Sequence, residues 1–256
     1  MIPRLYIDGP LHAGLPAPLS QNQAHYLRNV LCREVGDALR LFNGEDGEYA
    51  AEIVELKNKT GAALVKGQTR PQASEPDLTL YFAPVKREPL EVIIQKATEI
   101  GVARLIPVIT ECTTAARLNI DRLRAIGIEA AEQCGRLTVP SVGEPIKLPA
   151  LLEGWSDNRH LIFCDEAGDD EAEEWGGSKG RAAPILEMLN VRDSKTDRWG
   201  ILTGPEGGFS VEERKILRAA HFVTPVTLGP RILRADTAAI AALVLWQAAL
   251  GDWRQS

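Results

Sequence analysis

The stretch from Trp199 to Leu250, WGILTGPEGGFSVEERKILRAAHFVTPVTLGPRILRADTAAIAALVLWQAAL, predicts two consecutive strand–loop–helix units. Apolar runs at Trp199–Thr203 and Val223–Leu228 are typical of buried strands, and a glycine-containing loop follows each of them. A capping box predicts a helix over Ser210–Ala220, and the last helix is predicted over Asp236–Leu250.

The same alternation of strands and helices extends back to residue 78. The predicted strands are Leu78–Pro84, Arg104–Ile109 and His160–Asp165, and the predicted helices are Glu88–Gly101 and Asp121–Arg136. Such alternation predicts an α/β domain with a mostly parallel sheet. Active sites of such sheets lie beyond the C-terminal ends of the strands, where both glycine-containing loops fall.

The first seventy residues have a different, β-rich pattern. They contain an extended run at Pro3–Ile7, a helix at Ser20–Leu31 capped by Ser20, a hairpin of Ala38–Phe42 and Tyr49–Leu56 around Asn43–Gly47, and a strand at Gly61–Lys66. The aperiodic segment Thr69–Asp77 indicates a linker. The sequence therefore predicts a small barrel over residues 1–72 and a second domain over residues 73–256.

Composition indicates an ordinary soluble protein with a cytoplasmic location. The 256 residues are 45% hydrophobic and carry a net charge of −6, and neither a membrane span nor a secretory signal is visible. The negative charge argues against indiscriminate coating of nucleic acid. Four isolated cysteines, Cys32, Cys112, Cys134 and Cys164, are expected to be buried free thiols, and no metal site is expected.

The first candidate loop is Leu202–Ser210, LTGPEGGFS. Its glycines allow close approach of the backbone to a ligand, although a plain structural turn has a similar composition. Glu206 between them disfavours a phosphate site and suits a neutral or cationic ligand, or a role as a base. No phosphate-binding GxxxxGK[ST] pattern follows.

The second candidate loop is Leu228–Ala238, LGPRILRADTA. Arg231 and Arg234 either are solvated surface arginines or hold a phosphate or an electron-rich base, since the planar guanidinium donors fit both. Asp236 is expected to cap the last helix, with Thr237 in its first turn. An acidic insertion over residues 165–197, including Gly176–Gly180, is expected to lie on the surface without a role.

Four segments together carry a resemblance to a known family. They are Gln95–Val102 (QKATEIGV), Glu129–Arg136 (EAAEQCGR) with Val139–Pro140, Gly204–Gly208 (GPEGG) and Leu228–Arg234 (LGPRILR). In this order they closely resemble the 16S ribosomal RNA uracil-N3 methyltransferases of the SPOUT superfamily. The likeness spans nearly the whole chain, from Pro3–Tyr6 onward.

The resemblance implies an N-terminal PUA-like barrel, a C-terminal α/β domain tied in a deep trefoil knot, and a homodimer with active sites near its interface. It also implies that S-adenosylmethionine binds in the knot. The residues expected to contact it are Leu202, Thr203, Gly204, Pro205, Glu206, Gly207, Gly208, Leu228, Gly229, Pro230, Ile232, Leu233 and Thr237. The substrate would be 16S ribosomal RNA of the small subunit.

The chemistry requires that uridine N3 lose its proton, so negative charge on the flanking carbonyls must be stabilised. Arg231 and Arg234 are the candidates for this role. Glu206 is either a base or a partner of the positive cofactor. The residues expected to contact RNA are Arg4, His25, Arg28, Arg33, Lys86 and Arg136, although each is equally consistent with a structural or solvated side chain.

This chain departs from the family where LGPRILR is usually followed by Thr-Glu-Thr. It has Ala235, Asp236 and Thr237 instead, which argues against a catalytic hydroxyl at position 235. Two other functions stay open. One is a different reaction of the superfamily, on ribose 2′-O or guanine N1, and the other is an RNA-binding assembly factor without activity.

Overall fold

The computed structural model describes residues 2–114, 118–170, 172–190 and 198–255. The chain forms two compact units. Unit 1 comprises Met1–Ser74 and Ile128–Val139, and unit 2 comprises Glu75–Gly127 and Pro140–Ser256. The sequence pattern places a single boundary near residue 72, whereas the structure also groups residues 128–139 with the N-terminal strands.

Unit 1 is built on a five-stranded sheet with the order β1-β3-β4-β5-β2. Its elements are β1 Arg4–Tyr6, β2 Pro16–Leu19, α1 Gln21–His25, β3 Ala38–Phe42, β4 Glu48–Leu56 and β5 Gly61–Arg70. β1 and β3 are parallel, and the other neighbours are antiparallel. The predicted hairpin of β3 and β4 is confirmed. The edge strand β2 was not predicted, because prolines fill two of its four positions.

The predicted cap of α1 is confirmed, but the helix does not continue unchanged. The Ser20 hydroxyl accepts a hydrogen bond from the Gln23 amide, and the Gln23 side chain accepts one from the Ser20 amide. A π-helical turn over Tyr26–Val30 follows directly. The wider turn rotates later side chains relative to α-helical spacing. Leu27 is therefore buried, whereas Val30 is exposed.

Unit 2 is an α/β domain. Its strands are β6 Leu78–Phe82, β7 Arg104–Ile109, β8 Ser141–Val142, β9 Ile146–Lys147, β10 Arg159–Cys164, β11 Arg198–Thr203 and β12 Val223–Val226. Its helices are α2 Arg87–Ile100, α3 Ile120–Cys134, α4 Leu148–Glu153, α5 Ile185–Leu189, α6 Val211–Ala219 and α7 Ala235–Leu250, the last residues of α3 being grouped with unit 1. The predicted α/β class is confirmed.

All neighbouring strands of the unit 2 sheet are parallel, in the order β12-β10-β11-β6-β7-β8, with β9 also paired to β7. Successive side chains of a strand point to opposite faces, and here both faces are covered. Leu80 and Ile162 pack in one cluster with side chains of α2 and α7. Tyr81 and Phe163 pack in another with side chains of α4 and α6. This explains why the strands are nearly continuous apolar runs.

Among the described residues, no helix has the length and apolarity that a membrane crossing requires.

The expectation that all four cysteines are buried is wrong. Cys164 is buried within β10, but Cys32 and Cys134 are exposed and Cys112 is intermediate. Cys134 is the last residue of α3, where the apolar face of the helix ends, and Cys32 adopts a positive φ of 50° in the turn after the π-helical segment.

Arg4 links β1 to the C-terminal end of α3 within unit 1. Its guanidinium donates to the carbonyl oxygens of Ala131 and Glu132 at 2.7 and 3.0 Å and to that of Arg136 at 2.8 Å. Its Nε donates to Glu48 Oε2 at 2.7 Å. The carbonyls of Ala131 and Glu132 belong to the last turn of α3, where backbone acceptors are left over and a cation is favoured by the helix dipole. Arg4 therefore stabilises this helix terminus.

Glu132 lies beside this contact and is poorly solvated. Its Oε1 accepts a hydrogen bond from the Tyr6 amide at 2.9 Å. Burial raises the pKa of the Glu132 carboxyl from 4.5 to about 7. The folded protein therefore keeps a proton on Glu132 that the unfolded chain releases above about pH 4.5. The stability contributed by this group falls as the pH rises from about 4.5 to 7 and is constant above that window.

Glu132→Gln is accordingly expected to stabilise the protein at pH 8 and to have little effect at pH 5. Glutamine keeps an acceptor for the Tyr6 amide but carries no charge to bury. The free energy of unfolding in urea should rise at pH 8 by about 1–3 kcal/mol. The exposed Glu45→Gln is the matched control and should leave both values unchanged. An equal loss of stability at both pH values in Glu132→Gln would contradict this account.

Candidate functional site

Four neighbouring strands of unit 2 end at the same edge of the sheet. In the order β12-β10-β11-β6, they end at Val226, Cys164, Thr203 and Phe82. Parallel strands present their C-terminal ends on one side, so the segments that follow them are brought together there. Both candidate loops, together with the start of the acidic insertion, lie at this edge because of the strand order alone.

These segments enclose a cavity of about 590 Å³. The lining residues are Val85, Lys86, Pro89, Cys164, Asp165, Glu166, Ala167, Trp175, Gly204, Pro205, Glu206, Gly207, Gly208, Phe209, Arg214, Ile232, Leu233, Arg234, Ala235, Asp236 and Ala238. The volume lies in the range of small-molecule and cofactor sites. Apolar side chains, glycine backbone and a few charged groups alternate around it, as is typical of such sites.

The cavity brings many of the predicted site residues together. Those that line it are Gly204, Pro205, Glu206, Gly207, Gly208, Ile232, Leu233, Arg234 and Lys86. The other predicted residues of the two loops, Leu202, Thr203, Leu228, Gly229, Pro230, Arg231 and Thr237, are not among the lining residues. Leu202 and Thr203 are buried at the end of β11, and Arg231 is exposed.

The GPEGG loop has its shape because of two glycines. A Cβ atom at Gly204 would lie 2.7 Å from the Phe209 ring, so only glycine admits this ring against the loop. Phe209 in turn packs edge-on against Phe163, with ring centroids 4.9 Å apart. Gly208 has a φ of 70°, a left-handed conformation that favours glycine. The loop conformation is thus encoded locally and supported by the core.

The predicted capping box at the start of α6 is confirmed and makes a further contact. The Ser210 hydroxyl accepts from the Glu213 amide, and the Glu213 carboxylate accepts from the Ser210 amide at 3.0 Å. The same carboxylate accepts from the Glu111 amide at 2.9 Å. Glu213 therefore connects the loop after β7 to the end of the GPEGG loop and restricts the movement of this wall of the cavity.

The start of α7 differs from the prediction. The helix begins at Ala235 with Arg234 as N-cap, because Arg234 has an extended backbone and its carbonyl accepts from the Ala238 amide at 2.8 Å. Asp236 lies in the first turn, where its Oδ1 accepts from the Thr237 amide at 2.8 Å. The prediction of Asp236 as the cap is wrong by two residues. The placement of Thr237 in the first turn is confirmed.

A carboxyl that the sequence did not single out lies in the cavity wall. Burial raises the pKa of the Glu166 carboxyl, and the Leu228 amide and the Arg181 guanidinium partly oppose this rise. Arg181 Nη2 lies 3.9 Å from Glu166 Oε2 and donates to the Gly229 carbonyl at 3.4 Å. Glu166 and Arg181 thus connect the segment after β10 with the loop after β12.

Twelve lining residues were missed by reasoning from the two loops. They are Val85, Pro89, Cys164, Asp165, Glu166, Ala167, Trp175, Phe209, Arg214, Ala235, Asp236 and Ala238, of which Asp236 had been assigned only a capping role. Residues 85–86 and 164–167 lie at or just after the ends of predicted strands, so the strand-end rule points to them, but only the strand order shows that these strands are neighbours. Trp175 belongs to the acidic insertion, which carried no signal of a site. Residues 171 and 191–197 of that insertion lie outside the described residues.

The residues expected to contact RNA fall into two groups. His25, Arg28 and Lys86 are exposed and Arg33 is half-buried. Arg4 and Arg136 are instead engaged within unit 1: Arg4 makes the contacts described above, and the buried Arg136 donates from Nε to the Thr138 hydroxyl at 2.9 Å. A side chain whose donors already have protein partners is a poor candidate for binding phosphate.

In the described ranges, no group of three or more His, Cys, Asp or Glu side chains is placed to hold a metal ion. The charged residues that line the cavity are of both signs: they are the basic Lys86, Arg214 and Arg234 and the acidic Asp165, Glu166, Glu206 and Asp236. Asp165 is neutralised by Arg214 at 2.9 Å and by Arg218 at 2.7 Å. The site therefore suits a ligand that carries both positive and negative groups.

Two family models match the chain. The RNA methyltransferase domain matches residues 73–247, and the RNA methyltransferase PUA domain matches residues 19–66. The ribosomal RNA small subunit methyltransferase E of Rickettsia conorii is 34% identical over 94% of this chain and 93% of its own length. The protein of the same name in Bacillus subtilis is 29% identical over 88% of this chain and 87% of its own length.

A solved structure is similar over the full length. The ribosomal RNA small subunit methyltransferase E of Neisseria gonorrhoeae, bound to S-adenosyl methionine, superposes with a TM-score of 0.83. It is 28% identical, and the alignment covers 99% of this chain and 100% of that one.

Proposed function

Since the chain belongs to the RNA methyltransferase family that includes the ribosomal RNA small subunit methyltransferase E proteins, we propose that it methylates N3 of one uridine in 16S ribosomal RNA, with S-adenosylmethionine as the methyl donor. The observation that carries this proposal is the cavity at the ends of β10, β11 and β12, with Arg234 and Glu206 in its wall. The predicted combination of a PUA-like domain with a methyltransferase domain is confirmed.

The cavity fits S-adenosylmethionine in size and in chemistry. Its volume of about 590 Å³ accommodates a nucleoside joined to an amino acid. Ile232 and Leu233 provide apolar contact for a flat base, and the glycines of the GPEGG loop bring backbone donors and acceptors to the ligand. Acidic and basic side chains are both present for the ammonium, sulfonium and carboxylate groups. The deep trefoil knot implied by the resemblance stays a prediction.

The protein's own residues have three tasks in the proposed reaction. When bound, S-adenosylmethionine supplies a methyl group that is already activated for transfer. Arg234, at the cavity, holds the uracil ring and stabilises the negative charge that develops on its carbonyl oxygens as N3 loses its proton. Glu206 accepts that proton or balances the positive charge of the donor. The walls hold both reactants in line, which supplies much of the acceleration.

RNA contacts are proposed for His25, Arg28 and Arg33 of unit 1 and for Lys86 and Arg231 of unit 2. His25, Arg28, Lys86 and Arg231 are exposed and Arg33 is half-buried, which supports contacts to phosphates that position the RNA without reading its sequence. The target uridine must leave its stack to enter a cavity of this kind. Since the net charge is −6, binding to RNA in general should be weak.

A homodimer is proposed from the surface of α7. Ile240, Val244 and Leu245 remain only partly buried although the helix is almost entirely apolar. Such a face is stabilised by burial against a second copy. A cytoplasmic location is proposed as well, since the relatives are named for the ribosomal RNA of the small subunit.

The proposal predicts transfer of label from S-adenosylmethionine to small ribosomal subunits that lack native modification. Nucleoside analysis should then show 3-methyluridine at a single site. Label on ribose, on guanine or on transfer RNA would support a different reaction of the same superfamily. Cofactor binding without transfer to any ribosomal RNA substrate would support an assembly factor without activity.

A further inference from the structure

One residue of the cavity wall comes from the acidic insertion. Trp175 lines the cavity together with the GPEGG loop and residues 232–236, and its side chain is 42% exposed. A Cβ atom at Gly208 would lie 3.4 Å from Trp175 Cζ3, so the indole lies directly against this glycine. An apolar ring of this size, partly exposed at the edge of a ligand cavity, has surface available for a ligand.

The backbone around Trp175 holds the ring in place. Trp175 has φ 56° and ψ 26°, a left-handed conformation that is unfavourable for a bulky residue. Its carbonyl accepts from the Gly168 amide at 2.9 Å, and the Gly176 carbonyl accepts from the Asp170 amide at 3.0 Å. Such a conformation persists only where the surrounding contacts impose it, and it is a feature of ligand sites.

The insertion is attached to α6 by a cluster of ion pairs. Arg218 donates to Asp165 Oδ2 at 2.7 Å, to both Asp169 oxygens at 3.0 Å and to the Gly180 carbonyl at 3.1 Å. Arg214 donates to Asp165 at 2.9 Å and to the carbonyls of Ala167 and Gly168, both at 2.8 Å. Asp165 is only 2% exposed, so its own bonds to the two arginines are shielded from water and from salt. The cluster fixes both ends of the segment that carries Trp175.

We propose that Trp175 is a cofactor-contacting residue, whose indole packs against S-adenosylmethionine and shields it from water, and that Arg218 acts as a positioning residue through the insertion. This inference rests on the proposed function, since it assigns a further residue to the same cofactor site. Indole is an aromatic surface suited to a cationic ligand, and the cofactor is a sulfonium cation. The acidic insertion is therefore part of the active site and not a passive surface loop.

The first test measures binding without turnover. Titration with S-adenosylmethionine should change the tryptophan fluorescence of the parent protein, and this change should be lost in Trp175→Phe. Trp253→Phe, which removes an exposed indole that does not line the cavity, should retain it. By calorimetry, Trp175→Ala should weaken S-adenosylmethionine binding about tenfold, and Trp175→Phe should restore most of the affinity.

The second test examines positioning by Arg218. Arg218→Gln should weaken binding of S-adenosylmethionine in the parent, but should have no further effect in the Trp175→Ala background. A purely structural role of Arg218 would weaken binding equally in both backgrounds. Equal effects would therefore overturn the positioning role, and non-additive effects would support it.

The outcomes separate this inference from the proposed function. If the parent binds S-adenosylmethionine and the Trp175 variants show the same affinity and the same fluorescence response, the inference is overturned and the proposed function is left intact. Absence of S-adenosylmethionine binding to the parent would overturn the proposed function and the inference with it. Weakened binding in Trp175→Ala, with normal thermal unfolding, would establish the contact.

Discussion

Replacement of Arg234 with alanine is expected to lower the rate of methyl transfer by about 10²- to 10³-fold, with little change in the affinity for S-adenosylmethionine. Arg234 lines the cavity, and its backbone caps α7 with no side-chain contribution to the cap. The side chain can therefore be removed without loss of the helix start. In the proposed reaction its guanidinium stabilises charge that develops only as uridine N3 loses its proton, so the loss should appear in the rate.

The measurement is a single-turnover rate on undermethylated small subunits, with calorimetry for the cofactor. Arg234→Lys is the matched control. It keeps the positive charge but not the planar pair of donors, and it should recover only part of the rate. Turnover at the parent rate in Arg234→Ala would exclude Arg234 from the chemistry.

Arg231 provides a comparison within the same loop. It is exposed and does not line the cavity, so its effect should pass through the RNA. The defect of Arg231→Ala should therefore shrink with rising salt concentration, because the variant makes one fewer salt-sensitive phosphate contact, and it should also diminish at high RNA concentration. The defect of Arg234→Ala should persist at saturating RNA.

Gly208→Val is expected to weaken binding of S-adenosylmethionine by at least about 100-fold, because a β-branched residue strongly disfavours the left-handed backbone found here. At the φ of 70°, the loop must change conformation to accept valine, and the new side chain also meets the Trp175 ring. The backbone donors and acceptors of the GPEGG loop would then leave the positions that the ligand requires.

Calorimetry on the folded variant tests this expectation, and two controls isolate the cause. Gly208→Asn adds a side chain of similar size, but asparagine tolerates the left-handed conformation, so it should retain more affinity than valine. Gly67→Val places the same residue in β5, where no atom lies within 4 Å of its Cβ position, and should bind normally. Equal affinities of Gly208→Val and the parent would show that the loop does not hold the cofactor.

The sequence predicted those features that depend on neighbours in the chain. Ser20 and Ser210 cap their helices as expected, since a capping box needs only residues three apart. The apolar runs of β6, β10 and β11 predicted strands of a parallel sheet, because strands that are covered on both faces require such runs. The GPEGG and LGPRILR loops were found for the same local reason. The four motifs in order also indicated the family.

Tertiary structure decided what depends on distant residues. The strand order β12-β10-β11-β6 brings the segments after four separate strands around one cavity, and no local pattern encodes that order. The role of Arg4 also depends on tertiary structure, since the carbonyls that Arg4 binds lie more than 120 residues away along the chain. Trp175 lines the cavity within an insertion that ion pairs of Arg214 and Arg218 attach to α6. Contacts of this kind are selected by packing and by pairing of buried charges, which a linear pattern does not contain.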